Sequence, residues 1–431
     1  MNQNQHNTKQ RIKLRILSRK NIIIAKVGLP LQHKKFLKYN TLYVKYSENI
    51  EPIPQSIAAV PFITPLLFLS LATGIPIEVE VIDEEFLKSI RRLKKIISRL
   101  NGINEPKTVV IYQQLSKNTH SNLSNKYLIL YGGGIDSSAT LIENLKHKPI
   151  LFTVQGLDIS PEETKAWHYK RKMIRRLAQK LKLQAVFAET NIKEAIDTHH
   201  LAEKYRTRNF WGEIAHGPVT ICLSAPITYK YNVRYVLSPS SHGEDRYFKW
   251  GSSRLIDESV SWLKTRVIHS NYKLSRQEKI IKYIKNNQWI LPYLQVCHDQ
   301  YFYPNCGLCE KCLRTIAGLA LAGVDPRKMH FGYIGKKTFK MLEEGFLKGG
   351  LRWTLKSFDE NIRYMWNDIK LHIKDDIPDI MGSKYFFISL KKFNLEKYRP
   401  NPISQLVWRI SYSIIFKKLK TELIRKIKTL I

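Results

Sequence analysis

The run Leu130-Tyr131-Gly132-Gly133-Gly134-Ile135-Asp136-Ser137-Ser138 combines the side chains and the backbone freedom that phosphate chemistry requires. Three consecutive glycines let the chain turn tightly and bring N–H groups against a ligand. Tyr127 to Tyr131, just before them, reads as a buried β-strand, and the residues from Ser137 onward read as a helix with Leu141, Ile142 and Leu145 among its apolar positions. A helix start offers uncompensated N–H groups, and two hydroxyls beside them complete a phosphate site. Asp136 has the wrong charge to touch phosphate directly, so carrying a bridging Mg²⁺ is its expected role. The spacing is not Gly-x-x-x-x-Gly-Lys-Ser/Thr, and the nearest approach to that pattern, Gly332 to Thr338, is spaced wrongly. Asp136 is expected in a loop, where its removal would leave the fold intact.

A second set of residues suits a metal. Four of the five cysteines, Cys297, Cys306, Cys309 and Cys312, follow the spacing Cys-x8-Cys-x2-Cys-x2-Cys. The two short steps share Cys309 and let three sulfurs converge, with Cys297 returning as the fourth. Four thiolates in a tetrahedron suit Zn²⁺, and an iron–sulfur cluster uses the same ligand set. Disulfides are the remaining arrangement, which so tight a cluster disfavours. His298 adjoins the first ligand and reads as a surface or supporting residue. Cys222, within Ile221-Cys222-Leu223, reads as a small core residue.

The glycine loop resembles the Ser-Gly-Gly-x-Asp-Ser signature of the PP-loop ATP pyrophosphatases, an adenine nucleotide alpha hydrolase-like superfamily; Gly132 stands where that signature has Ser. The loop and the cysteine cluster occur together, in this order, in 7-cyano-7-deazaguanine synthases, whose zinc-binding tail the run Cys306 to Arg314 resembles. Residues 57 to 325 also resemble a bacterial family in which a proline-rich apolar segment precedes a domain of this type. The stretches concerned are Phe152 to Asp158, Glu189 to Asn191, Trp250 to Ser253 and Ser275-Arg276-Gln277-Glu278-Lys279.

The resemblance implies ATP and Mg²⁺ as well as Zn²⁺. It also implies adenylation of a carboxylate or amide oxygen with release of pyrophosphate, then nitrogen transfer to give an amide or nitrile. Gly132, Gly133, Gly134, Asp136, Ser137 and Ser138 would hold the nucleotide phosphates, with Asp136, Ser137 and Ser138 catalytic. Val154, Gln155 and Gly156, at the next strand end, would meet adenine, and Asp158 is equally an assisting group or a turn residue. His242, Glu244 and Asp245 are the candidate substrate contacts within Ser240 to Asp245, and Trp250, Gly251 and Asp257 lie just beyond. Arg314 would reach a phosphate or pair with a helix-end carboxylate. Two alternatives stand beside this reading. One is a nucleotide- or tRNA-binding accessory protein with a weakened loop. The other is a tRNA sulfurtransferase, which needs a persulfide-carrying cysteine where only Cys222 is free.

The elements that must position these groups alternate. Strands at Ile150 to Val154, Ala185 to Ala188 and Arg234 to Ser238 are separated by helices at about Pro161 to Leu181, Ile192 to Ile196 and Pro218 to Tyr229. Alternation of this kind predicts an α/β fold, a doubly wound parallel sheet with ligands at the carboxyl ends of its strands. An N-terminal α+β domain is expected over 1–123, the PP-loop domain with its four-cysteine zinc site over 124–330, and a helical region over 331–431. Four strand ends, at Gly132 to Ser138, Gln155 to Asp158, Thr190 to Asn191 and Ser240 to Asp245, are expected to share one crevice that a helical lobe closes.

The formal net charge is +35, from 71 Lys and Arg against 36 Asp and Glu. A nucleic acid or an anionic membrane surface would suit it, as would a lysine-rich solvated surface shaped by genome-wide composition. Ile57 to Ile77 carries no charge, but Pro61, Pro65, Gly74 and Pro76 interrupt it, so it reads as core rather than a membrane span. The first twenty residues lack the apolar core of a secretory signal, and a cytoplasmic protein is expected. Ile77 to Val81 alternates as a half-exposed strand, followed by a helix through Phe86, Ile90, Leu93 and Ile97. Ser404 to Ile431 reads as a basic helix, suited to a membrane surface or to packing on its own domain.

Overall fold

The computed structural model describes residues 10–118, 124–297, 305–335, 337–348, 360–397 and 403. The chain is α/β and divides into two compact units. One comprises the residues up to Gly132 with Glu143–Ser240 and Lys249–Tyr272; the other comprises Gly133–Ile142, Ser241–Phe248 and the chain from Lys273 onward.

The first unit holds an eleven-stranded, mostly parallel sheet. Its strands are β1 (Ile12–Arg19), β2 (Ile22–Gly28), β3 (Thr41–Tyr46), β4 (Ile77–Asp83), β5 (Val110–Ser116), β6 (Ser124–Leu130), β7 (Ile150–Gln155), β8 (Ala185–Thr190), β9 (Val233–Pro239), β10 (Ser261–Trp262) and β11 (Thr265–Ser270). Their order is β10-β11-β9-β6-β7-β8-β3-β2-β1-β4-β5. From β11 to β8 every pairing is parallel. β7 is buried along almost its whole length, as a strand covered on both faces must be. From β6 the chain steps to β7 and β8 on one side, then crosses back to β9 and β11 on the other. The strand order therefore reverses beside β6, whose outgoing loop begins the glycine run; such reversals are where doubly wound sheets bind ligands.

The N-terminal strands do not form a sheet of their own. β3 pairs antiparallel with β8 in the register Val44↔Thr190, Lys45↔Glu189, Tyr46↔Ala188 and extends the parallel sheet. β1 alternates cleanly, with Ile12, Leu14 and Ile16 turned into the core. The uncharged segment folds as the helices Gln55–Ala58 and Val60–Thr73, and every residue from Val60 to Leu71 is buried. A helix apolar all round belongs in a core or a bilayer. This one packs in the core, where Phe68 meets Phe210 edge-on and its carbonyl accepts from the Tyr205 hydroxyl at 2.9 Å. Among the described residues no helix is long and apolar enough to cross a membrane. The helix through Phe86, Ile90, Leu93 and Ile97 runs Glu84–Asn101.

Two expected helices differ. The helix after β7 runs Thr164–Leu181 and leaves Pro161 outside. Gln155 Nε2 donates to the Ser160 and Pro161 carbonyls, and Glu163 accepts from the Ser160 N–H, so 155–163 folds as side-chain-bonded turns. The helix expected over 218–229 is two, His216–Cys222 and Ala225–Lys230. Pro226 opens the second because it lacks the N–H that continuation requires.

The second unit is helical. Glu310–Leu321, Thr338–Lys348, Glu360–Leu371 and Lys384–Lys392 pack a core of Leu313, Ile316, Phe339, Leu342, Trp366 and Phe386 with their neighbours. The terminal segment Ser404 to Ile431 and His298 lie outside the described residues.

Candidate functional site

The helix Ile135–Asn144 begins directly after the three glycines, so Asp136 lies in its first turn and not in a loop. Gly133 has φ +78°, and its carbonyl accepts from the Gln295 N–H at 2.8 Å; this is the glycine the turn needs. A Cβ on Gly132 or Gly134 would meet nothing within 4 Å, which leaves space beside both. Ser137 is 6% exposed and donates from Oγ to the Gly134 carbonyl at 3.2 Å, and Ser138 is fully buried.

Asp136 is held by two cations that the chemistry of the loop did not single out. Arg276 donates to both carboxylate oxygens, with Nε 3.3 Å from Oδ1 and Nη2 on Oδ2. Lys279 Nζ lies 3.7 Å from Oδ1 and is itself fully buried. Burial alone would raise the Asp136 pKa, but Arg276 and Lys279 outweigh it and hold it below the ordinary value. Burial depresses Lys279, with Arg276 adding to the effect and Asp136 opposing it. Local sequence explains the placement of the pair. Ser275 and Glu278 form a reciprocal capping box at the start of the turn Arg276–Lys279, and residues three apart share a helix face. Ser-x-x-Glu before Ile280-Ile281 was the available signal.

Around this pair lie further charges. Buried Arg314 stands 3.3 Å from half-buried Glu310 one turn away, so it pairs with a helix-end carboxylate. Burial raises Glu310 and lowers Arg314 to about 10. His242 is buried and driven down to about 3, chiefly by burial, and is therefore neutral. Its Nε2 lies 2.9 Å from Asn361 Oδ1, and its ring meets Phe248 and Tyr364 edge-on. Asp245 accepts from the Tyr364 hydroxyl at 2.6 Å, and Tyr364 in turn accepts from the Gly243 N–H. Glu244 and Asp245 line a cavity of about 440 Å³ together with Tyr364 and His372. His242 thus feels the charge of Asp136 while the other two substrate candidates face that cavity.

In the sheet unit, Gly156 has φ +95°, and an added Cβ would fall 1.7 Å from the Thr190 carbonyl oxygen. That contact alone demands glycine. Val154 is half-buried and Gln155 is buried, spending its amide on the turn described above. Asp257 is fully buried and accepts from Ser238, Ser252 and His269, which ties β9, β11 and the Trp250 to Ser253 loop together. Cys222 is buried, its thiol pushed up to about 12, and it serves as packing.

The four cysteines form a site for one metal ion such as zinc. All four sulfurs lie within 4.8 Å of one another, and the pairs Cys297–Cys309 and Cys306–Cys312 are each 3.8 Å apart. Four sulfurs at the usual Zn–S distance form a tetrahedron with edges of about 3.8 Å. The backbone supports the arrangement: the N–H groups of Leu308 and Cys309 donate to Cys306 Sγ, and that of Cys306 to Cys297 Sγ. Gly307 has φ +79° and passes so close to the Tyr333 carbonyl that a Cβ would sit 1.8 Å from it. Asn305, fully buried, accepts from Val296 N–H and donates to the carbonyls of Leu294 and His330, stitching the two arms of the site. Burial and then the neighbouring sulfurs push the Cys312 thiol far up, a cost that a bound cation reverses. No protein-family model, curated protein or solved structure matches the chain, so its residues carry the functional argument.

Proposed function

We propose that this chain is an ATP-dependent ligase of the ATP pyrophosphatase type, acting on a small-molecule acceptor. In the first step an acceptor carboxylate or amide oxygen bonds to the α-phosphorus of ATP while the bond to the pyrophosphate oxygen breaks. In the second, a nitrogen nucleophile displaces AMP from the adenylated carboxylate and loses a proton, giving an amide; an adenylated amide instead expels AMP and its remaining N–H proton, giving a nitrile. Chemistry of this kind asks the protein for alignment and for fixed positive charge where pyrophosphate separates.

The observation that carries the reading is the Asp136 carboxylate locked between Arg276 and Lys279, in the first helical turn after the glycine loop. The carboxylate holds the two cations in place before any ligand arrives, so their donors are pre-oriented for a phosphate. The space beside Gly132 and Gly134 gives the phosphates access to backbone N–H groups. Mg²⁺ fits Asp136 poorly in this pairing, because both carboxylate oxygens already face cations. Phosphate neutralisation is therefore assigned to Arg276 and Lys279, with Asp136 as their positioning residue. The zinc-type site braces the segment around Glu310 and Arg314. Val154 to Gly156 are assigned to adenine, and His242, Glu244 and Asp245 to the acceptor.

The test is ATP cleavage with candidate acid and amide acceptors, following AMP and pyrophosphate. Arg276→Lys keeps the charge but loses the fork, and turnover should fall by about 10²–10³, as when one fixed donor to a developing anion is removed. Release of ADP would overturn the reading. Tight ATP binding without pyrophosphate release would instead favour the nucleotide-binding accessory protein, in keeping with the hydroxyl missing at Gly132.

A further inference from the structure

The helix Thr164–Leu181 carries seven Lys and Arg residues among its eighteen and no acidic residue. Its apolar face, including Trp167, Met173, Ile174 and Leu177, is buried, so the cations crowd the outer face. Arg171 and Arg175, one turn apart, both lie over the Phe187 ring at 5.3 Å. With His168, Lys172, Arg176 and Gln179 they line a cavity of about 270 Å³. Arg171 Nε is enclosed without a hydrogen-bond acceptor. Burial first, and the charge of Arg175 second, lower the pKa of Arg171, with Glu189 opposing them, so Arg171 and Arg175 repel one another.

General lysine enrichment does not account for this face. The helix Glu84–Asn101 carries six cations, but Glu84 and Glu85 open it, and three of the six are paired, Lys88 with Glu84, Arg92 with Glu85 and Lys94 with Glu105. Among the described residues no carboxylate pairs with Lys172, Arg175 or Arg176 within salt-bridge distance. The kind of anion that suits the face follows from what surrounds the cations. No large apolar side chain is exposed on this helix, so it has nothing to insert into a bilayer. It also has no exposed Phe, Tyr or Trp on which an unpaired base would stack. Cations alone, in two rows along a helix about 27 Å long, match a double helix read through its phosphates.

We propose that the outer face of Thr164–Leu181 docks the phosphate backbone of a double-stranded nucleic acid, without base-specific contacts. This proposal is independent of the ligase reading. The test is anisotropy titration of the full-length protein with labelled 20-base-pair RNA and DNA duplexes of mixed sequence over a salt series. Binding should weaken linearly in log salt and vary little with sequence. The variant Lys172→Gln/Arg175→Gln/Arg176→Gln should lower the slope by about three, roughly one for each phosphate no longer neutralised. Arg171 is left in place to keep the Phe187 contact, and a melting curve checks folding. Lys88→Gln/Arg91→Gln/Lys95→Gln on the other cationic helix should change the slope by less than about one. An equal loss from both triple variants, or an unchanged slope in the first, would overturn the proposal. So would binding to phosphatidylserine vesicles in place of duplexes, or sequence-selective binding to single strands.

Discussion

Arg276 Nε lies 3.3 Å from Asp136 Oδ1, and its Nη2 meets Oδ2, a two-pronged pairing between residues 140 positions apart. The pairing changes the expected result of removing Asp136. In a loop, as the sequence suggested, Asp136→Ala would cost little stability. In this structure it leaves Arg276 and the fully buried Lys279 facing one another.

Asp136→Ala should therefore destabilise the fold, by roughly 3 kcal/mol, the low end for breaking a buried ion pair. Asp136→Asn keeps the shape and should cost less. Because its folded pKa is lowered, Asp136 contributes stability that is present above about 3.8 and lost as pH falls below it. Denaturation of wild type and Asp136→Asn at pH 7 and at pH 3 should give curves that differ less at the acid end. A difference independent of pH would refute the ion-pair account.

The cysteine site predicts a dependence on metal. Purified protein should contain about one zinc per chain, and Cys309→Ser should lose it together with cooperative unfolding, because ligation free energy is folding free energy here. The variant to compare is Cys222→Ala, which removes a packing sulfur and should keep full metal content. A metal-free wild type that melts cooperatively would contradict the site.

Much of this arrangement was legible in the sequence, and the remainder has identifiable reasons. Tyr127 to Tyr131, Ile150 to Val154 and Ala185 to Ala188 announced strands through continuous apolar runs, which central parallel strands require. Cys297, Cys306, Cys309 and Cys312 announced their cluster through spacing alone. Pro161 misled because proline favours a first helical turn, while Gln155 offered the backbone there competing hydrogen bonds. The roles of Arg276 and Lys279 are not legible within their stretch, because a charged residue gives no local sign of a partner on the far side of the sequence. The continuity of β3 with β8 was equally hidden, since strand pairing is a long-range contact that periodicity within one strand does not encode.

The glycine loop separates a structural requirement from a chemical one. Gly133→Ala forces φ +78° on a residue with a Cβ and should cost about 1–2 kcal/mol. Gly132→Ser meets open space and ordinary backbone angles, so its melting temperature should match wild type within about a degree on a cost below ~0.3 kcal/mol. Should the serine raise pyrophosphate release while stability stays constant, the glycine has weakened phosphate binding without abolishing it. Strong destabilisation by Gly132→Ser would show that the space beside it is filled.

His242 supplies the pH prediction that depends least on assigning an activity. Its pKa is lowered to about 3, first by burial and further by Arg276 and Arg246, while Asn361 and Asp136 pull the other way. The unfolded chain, with a histidine near 6.5, binds more protons than the folded one throughout the interval between those values. Stability is therefore complete above about 6.5 and declines as pH falls toward about 3, at a limiting slope of about 1.4 kcal/mol per unit. His242→Gln keeps a group able to bond to Asn361 but does not titrate, so its stability should fall less steeply over the same interval. Parallel urea unfolding of the two proteins at about pH 7.5, 6, 5 and 4 measures the difference. If the two slopes coincide, His242 is charged in the folded protein or open to water, and the buried neutral imidazole beside Asp136 is wrong.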